Sequence, residues 1–292
     1  MLDTNQHNFF KTALTNVLGK AVTLKSIKNV TGGSINDAFR LETEDGYFFL
    51  KSNSRHGEHM FEVESKGLEL LKSATQLKVP EVVGTGVCQD RAFIVMEYLP
   101  PSVASQLYWK KLGEGLAELH RFRSNQFGLE YDNFIGSLSQ YNHQHKDWLT
   151  FFIDQRLRPQ FELACRNGVI NQNYLAMLSE LKEKLKGIFP TEKPSLLHGD
   201  LWSGNVMASN DPPCLIDPAV YYGHREMELA FTLLFGGFDR AFYTAYQDNF
   251  PLDKGFEERV PIYNIYPLMV HVNLFGVSYF GDVRAVLNKL LG

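Results

Sequence analysis

Leu196-Leu197-His198-Gly199-Asp200-Leu201-Trp202-Ser203-Gly204-Asn205-Val206 is the stretch of this 292-residue chain whose reading decides the fold. An apolar run ends in a turn that carries an aspartate and, five positions on, an asparagine. Enzymes that move a phosphoryl group onto a hydroxyl use these residue types at this spacing. The aspartate accepts the proton of the attacking hydroxyl, and the asparagine oxygen binds magnesium. Asp200 and Asn205 fit those positions. Twelve residues later, Cys214-Leu215-Ile216-Asp217-Pro218 reads as an apolar strand delivering a carboxylate. Hard Mg2+ ions take a few carboxylate oxygens and complete their shell with water and phosphate. Asp217 is therefore read as the second metal ligand.

An aspartate and asparagine at this spacing are common by chance, so the reading depends on what precedes them. Thr31-Gly32-Gly33-Ser34 lies between two strand-like runs; glycines there let backbone N–H groups approach a polyphosphate with no Cβ in the way, although an ordinary turn has the same composition. Lys51 closes the apolar run Phe48-Phe49-Leu50. Glu64 follows on a helix, where Leu68 and Leu71 share its inward face, which favours it over Glu62 as the partner that orients the Lys51 ammonium toward phosphate. The alternative for Lys51 and Glu64 is a surface ion pair. Val95-Met96-Glu97-Tyr98-Leu99 leads into Pro100-Pro101, a connector; by analogy with the hinge of kinases, its backbone at Glu97, Tyr98 and Leu99 is expected to receive adenine, with the Met96 side chain flanking the base. Val95 and Met96 also suit plain core packing.

Periodicity places these features on elements. Residues 4–18 carry apolar side chains at helical spacing, with Gly19 positioned to end the helix. Strand-like runs follow at 22–30, 38–41 and 47–51, then a helix at 61–71, then strands at 81–87 and 92–96. Beyond the paired prolines helical patterns dominate, at 102–122, 148–167, 174–186, 225–235 and 285–291. The expected architecture is α+β with two lobes: a small antiparallel five-stranded N-lobe with one inserted helix (1–96), a hinge (97–101) and a larger, mainly helical C-lobe (102–292).

Composition narrows the class of protein. The chain is 44% hydrophobic and 21% charged, with a net charge of −4, so it buries a core and lacks the basic face that nucleic acid would favour. Its longest apolar runs are far too short to cross a bilayer, and its start, MLDTNQHNFF, has no secretory pattern. Three widely spaced cysteines, with no CxxC pair, read as a reduced cytoplasmic protein. His56/His59 and His143/His145 lack a second cluster at zinc spacing and are read as solvated loop residues. An acidic protein still meets a triphosphate if Lys51 and Mg2+ supply positive charge locally.

Together these stretches resemble the fructosamine kinase (ketosamine-3-kinase) family within the protein-kinase-like fold. The resemblance covers Gly32-Gly33-Ser34, Phe61-Glu62-Val63-Glu64, 95–99, the family-specific LLHGDLWSGN at 196–205, Ile216-Asp217-Pro218-Ala219, Tyr222-Gly223-His224-Arg225-Glu226 and Phe235-Gly236-Gly237-Phe238. It implies an ATP- and Mg2+-dependent kinase acting on the 3-hydroxyl of ribulosamine, erythrulosamine or fructosamine adducts in deglycation repair. The alternatives are a kinase of the aminoglycoside or choline type and a nucleotide-binding pseudokinase. By resemblance, His224 and Arg225 are candidates near the acceptor. Trp202 is read either as a wall for the sugar or as a core anchor, and His198 as a brace of the catalytic loop. The aromatic-rich stretch 256–280 is expected to wall the acceptor cleft. Ser34 stands where many members carry a cysteine linked to redox-sensitive dimers, which implies no disulfide control there and a monomer. Gly199 stands where regulated protein kinases carry an arginine, which implies no phosphorylation switch.

Overall fold

Alternation of buried and exposed side chains through residues 37–43 and the β-rich run at 91–97 dictate extended backbone, and a sheet forms there. The computed structural model describes residues 4–30, 35–105, 107–209 and 212–292. Gly32, Gly33 and Ser34, the expected phosphate loop, lie outside the described residues. The chain divides into two compact units, Met1–Tyr108 with Gly204–Pro218, and Trp109–Ser203 with Ala219–Gly292.

In the first unit, α1 (Thr4–Leu18) precedes β1 (Leu24–Asn29), β2 (Asp37–Thr43) and β3 (Gly46–Ser54); α2 (Glu58–Ala74) then precedes β4 (Val82–Cys88) and β5 (Arg91–Glu97). The strands form one antiparallel sheet in the order β1-β2-β3-β5-β4. Gln89 and Asp90, both at positive φ, make the tight β4–β5 turn that matches strand twist. Phe9, Phe10, Ala13 and Leu14 of α1 pack with Phe39, Leu41, Leu50, Phe93 and Val95 of the sheet. Gly84 lets α1 approach β4, since a Cβ there would meet Val17 at 2.8 Å. Because successive side chains alternate across a strand, Leu50 joins this cluster while Lys51 turns to the opposite face, toward α2.

The segment Gly204–Pro218 belongs with the sheet unit, not with the helical one as the 97–101 boundary implies. Backbone hydrogen bonds explain this. Lys78 N–H donates to Pro213 O at 3.0 Å, Leu215 N–H to Lys78 O at 2.9 Å, and Ser102 N–H to Ala208 O at 2.8 Å. A short antiparallel ladder, Val206–Met207 with Cys214–Leu215, completes the segment.

The second unit is mainly helical. Its core gathers Trp148, Phe151, Phe152, Leu157 and Phe161 with Leu178, Leu181, Tyr263, Met269 and Leu287. The helix expected at 148–167 runs as Trp148–Phe151, a π-helical turn at Phe152–Leu157, and Arg158–Arg166. Ser195–Leu197 pairs antiparallel with Tyr221–Gly223, which brackets the Asp200 turn with a small ladder. The aromatic-rich stretch forms helices Phe256–Tyr263 and Ile265–Phe275, the first carrying Pro261 within it.

Candidate active site

Lys51 sits on β3 with its side chain only 8% exposed, and two carboxylates meet its ammonium: Glu64 of α2 at 2.7 Å and Asp217 at 2.5 Å. Burial alone would lower the lysine pKa, but the charges of Asp217 and Glu64 outweigh it and hold the ammonium above its ordinary value. Lys51 is therefore a permanent cation. Burial pushes the Glu64 carboxyl up against the pull of Lys51. Breaking one side of a buried pair costs about 3–5 kcal/mol, so Lys51 and Glu64 are tied structurally as well as chemically.

Asp217 differs from Glu64 in being 44% exposed and in its left-handed backbone, φ +55°. That conformation is strained for a residue with a Cβ, although aspartate tolerates it better than most. Its effect is to reverse the chain just past Cys214–Leu215 and carry the carboxylate to Lys51. Asn205, 6% exposed, is coupled to the same turn through its carbonyl, which accepts from Ile216 N–H at 3.1 Å. An amide oxygen and a carboxylate on one braced segment are hard-oxygen donors suited to Mg2+. No group of three or more His, Cys, Asp or Glu side chains able to hold a metal occurs among the described residues. Two such donors would leave most of an octahedral shell to water and phosphate oxygens.

At the end of β5, Met96 is buried and Glu97, Tyr98 and Leu99 are half-buried. Glu97 pairs with Lys78 at 2.8 Å, and its N–H donates to Glu81 O. Tyr98 lies 6.0 Å from Tyr47, with the Arg40 guanidinium near both rings.

In the second unit, the Asp200 turn is held by Glu228, which the sequence pattern places within the helical run 225–235. The buried Glu228 carboxylate accepts from His198 N–H at 3.0 Å and Gly199 N–H at 2.7 Å, and contacts His120 Nε2 at 3.0 Å. Burial would raise its pKa, but these bonds and the neighbouring histidines win and hold it below the usual carboxylate range. Burial lowers the His120 pKa despite Glu228; His120 Nδ1 meets the Tyr246 hydroxyl at 2.8 Å. His198 Nδ1 accepts from Asp200 N–H at 3.3 Å, the geometry of a loop brace. Gly199 has φ +86°, and a Cβ there would fall 2.0 Å from Ala219 O. No arginine, nor any side chain, fits that position in this backbone. Asp200 lines a narrow cleft with Tyr221, Met227, Tyr266 and His271, the last two from the aromatic-rich stretch.

Three acceptor candidates fare differently. Trp202 is 39% exposed, which rules out the core-anchor alternative. His224 is a correction: it is 1% exposed, stacks on Trp148 at 4.7 Å and 3°, and meets the Tyr263 hydroxyl at 3.0 Å. Burial and the charges of Arg259, Arg225 and Arg123 push its pKa down to about 3, so it is neutral. Arg225 is also a correction. Its guanidinium pairs with Glu192 at 2.9 Å, donates to Phe250 O and Pro251 O at 2.7 Å, and stacks on Phe250. Both side chains are committed to internal packing, and neither lines the Asp200 cleft. Glu226 beside them is held by Arg259 through two bonds of 2.6 and 2.7 Å.

The antiparallel sheet with its strand lysine and helix glutamate, together with the helical unit carrying the Asp200 turn, defines the protein-kinase-like fold. Solved structures agree. A "Putative fructosamine-3-kinase" from Haemophilus somnus 129PT superposes with a TM-score of 0.89 at 29% identity, covering 97% of each chain. An aminoglycoside phosphotransferase solved with AMP-PNP and hygromycin B reaches a TM-score of 0.63 at 14% identity, covering 97% of this chain and 99% of that one, a likeness of fold alone. The model of the fructosamine kinase family matches residues 7–292, and the chain belongs to that family. Its relatives include a "Probable ketoamine kinase" of Vibrio parahaemolyticus, 39% identical over 264 residues (90% of this chain, 91% of the relative). "Probable ketoamine kinase YniA" of Escherichia coli K12 is 37% identical over 261 residues, 89% of this chain and 91% of the relative.

Proposed function

We propose that this protein transfers the γ-phosphoryl group of ATP to the 3-hydroxyl of a ketosamine, the adduct of a sugar with an amine. The observation that carries this reading is the buried Lys51 ammonium held between Glu64 and Asp217 in a chain of the fructosamine kinase family. Lys51 binds the α- and β-phosphate oxygens, and Glu64 keeps its ammonium aimed at them. Asn205 and Asp217 would hold Mg2+, which would supply positive charge to the phosphate oxygens. Backbone groups of Glu97, Tyr98 and Leu99 receive the adenine beside Met96, and Gly32, Gly33 and Ser34 cover the phosphates. Asp200 orients the acceptor hydroxyl and takes its proton as the oxygen attacks. Trp202, exposed two residues past the base, offers a wall to the sugar or its amine substituent.

The 3-phosphate of a ketosamine is unstable and breaks down to release the free amine, so the reaction reverses glycation of a metabolite or protein. We place it in the cytoplasm, acting as a monomer without disulfide control. Among the described residues, no helix is long and apolar enough to cross a membrane.

The test is Mg2+-dependent ATP consumption by purified protein against ribulosamines, erythrulosamines, fructosamines, choline and aminoglycosides. The expected result is turnover on ketosamines, with phosphate at O3 by NMR. Preference for choline or an aminoglycoside overturns the substrate assignment. Nucleotide binding without transfer to any acceptor makes the protein a pseudokinase scaffold.

A further inference from the structure

Behind the Asp200 cleft lies a buried polar network whose hydrogen-bond directions can be deduced. Arg156, fully buried on the π-helical turn, can only donate, and its guanidinium meets Asn142 Oδ1 at 2.7 Å. That fixes the Asn142 amide, whose Nδ2 donates to Asn133 Oδ1 at 2.9 Å. Asn133 Nδ2 in turn donates to Val220 O at 2.9 Å. The Gln140 amide nitrogen donates to Asn133 Oδ1 at 2.8 Å and to Ala219 O at 2.9 Å. Both of its hydrogens are thereby used, so Oε1 faces Tyr266 and accepts its hydroxyl proton at 2.7 Å. The Tyr266 oxygen is left with lone pairs only. Toward any ligand it is an acceptor and cannot donate.

Tyr266 lines the same cleft as Asp200. Tyr266 is 3% exposed, and burial raises its pKa, so the phenol keeps the proton that it donates to Gln140. A carboxylate and a donor-committed phenol lining one narrow cleft offer it two acceptors. Such a pair matches a ligand with two neighbouring donors. In a ketosamine the carbon on one side of C3 is a carbonyl, which offers no donor, and the carbon on the other side bears a hydroxyl.

Resting on the function proposed above, we infer that Tyr266 is a specificity-determining residue that accepts a hydrogen bond from the hydroxyl vicinal to the one phosphorylated. The direction of that bond is set by the relay from Arg156 through Asn142, Asn133 and Gln140. The consequence is selection for an acceptor with a donor at C4. A site built to pair with a hydroxyl rejects analogues lacking it, because its own polar group is then left unmatched.

The test compares a ribulosamine, its 4-deoxy analogue and its 4-deoxy-4-fluoro analogue with wild-type protein and Tyr266→Phe. Wild type is expected to lose roughly tenfold or more in kcat/KM on both analogues, since fluorine keeps an acceptor but supplies no donor. Tyr266→Phe is expected to lose a similar factor on the parent, to treat parent and 4-deoxy compounds alike, and to keep its KM for ATP. A fluoro analogue as good as the parent in wild type overturns the inference with no variant needed. So does a Tyr266→Phe protein that still discriminates, or that slows equally on all three, as a purely structural strut would. A wild type inactive on every ketosamine fails the proposed function itself, whereas wild-type turnover without C4 discrimination fails this inference alone.

Discussion

The two units solve the burial of charge in opposite ways. In the sheet unit, one cation lies between two carboxylates, and one of those, Asp217, is 44% exposed on a strained backbone. In the helical unit, the buried Glu228 carboxylate is clamped by the backbone N–H groups of His198 and Gly199 and by the buried His120. The first arrangement is electrostatic and has an open side, as suits groups that exchange partners when a polyphosphate arrives. The second is closed and directional, and it presets the turn that presents Asp200. The closed clamp sets the backbone before the Asp200 turn, and the cluster around Lys51 keeps one carboxylate open to solvent.

Substitutions can break this contrast. Asp200→Ala should slow turnover about 10²–10⁴-fold with nucleotide affinity nearly unchanged, read by steady-state kinetics and calorimetric titration with ATP. A near-normal rate removes Asp200 from the chemistry. Lys51→Met should cost about 10²–10³-fold in kcat/KM for ATP, the scale of losing one preorganised charge at a phosphoryl group. Because it also strands Glu64, the Lys51→Met/Glu64→Gln double variant should be more stable than Lys51→Met alone; the reverse order of melting temperatures would mean that the pair is not coupled.

Glu228→Ala probes the closed half. It leaves two buried N–H donors unmatched and should destabilise the fold by about 3–5 kcal/mol in denaturant titration. It should also lower kcat more than it raises KM for ATP. A fall in ATP affinity alone would contradict the division of labour between the halves.

The smallest expected effect is that of pH. His224 is held neutral, with its pKa pushed down to about 3, while the unfolded chain protonates near 6.5. Between those values the unfolded state binds more protons, so stability rises with pH and is lost on acidification. From pH 7 to pH 5 this one residue should remove about 2 kcal/mol. Urea midpoints at the two pH values measure it, and His224→Phe should flatten the difference; an equal slope in the variant would assign the acid sensitivity elsewhere.

What the sequence disclosed was what short-range periodicity encodes. Glu64, Leu68 and Leu71 share one helical face, and that alone favoured the Lys51 partner now seen at 2.7 Å. The sheet strands came within a few residues of their expected bounds because alternation and turn residues agree there. The π-helical break at Phe152–Leu157 was hidden, since apolar spacing continues smoothly through it. Glu228 was hidden for another reason: a carboxylate near a helix start looks the same whether it faces solvent or receives N–H groups thirty residues away. His224 and Arg225 were acceptor candidates by resemblance alone, and no local pattern showed that Glu192, Trp148 and Tyr263 engage their side chains internally. The Gln140–Tyr266 contact spans 126 positions and left no local signal at all.

The placement of Gly204–Pro218 with the sheet unit has a consequence for how this protein is made. Residues 51 and 217 touch across a sequence separation of 166, so a nascent chain that has already emitted its five strands holds Glu64 but still lacks the second of the two carboxylates that meet the buried Lys51 ammonium. At translation speeds of about 5–20 residues per second, that interval lasts many seconds. A fragment ending at residue 108 would stay in the same condition permanently, with the Lys51 ammonium held by Glu64 alone.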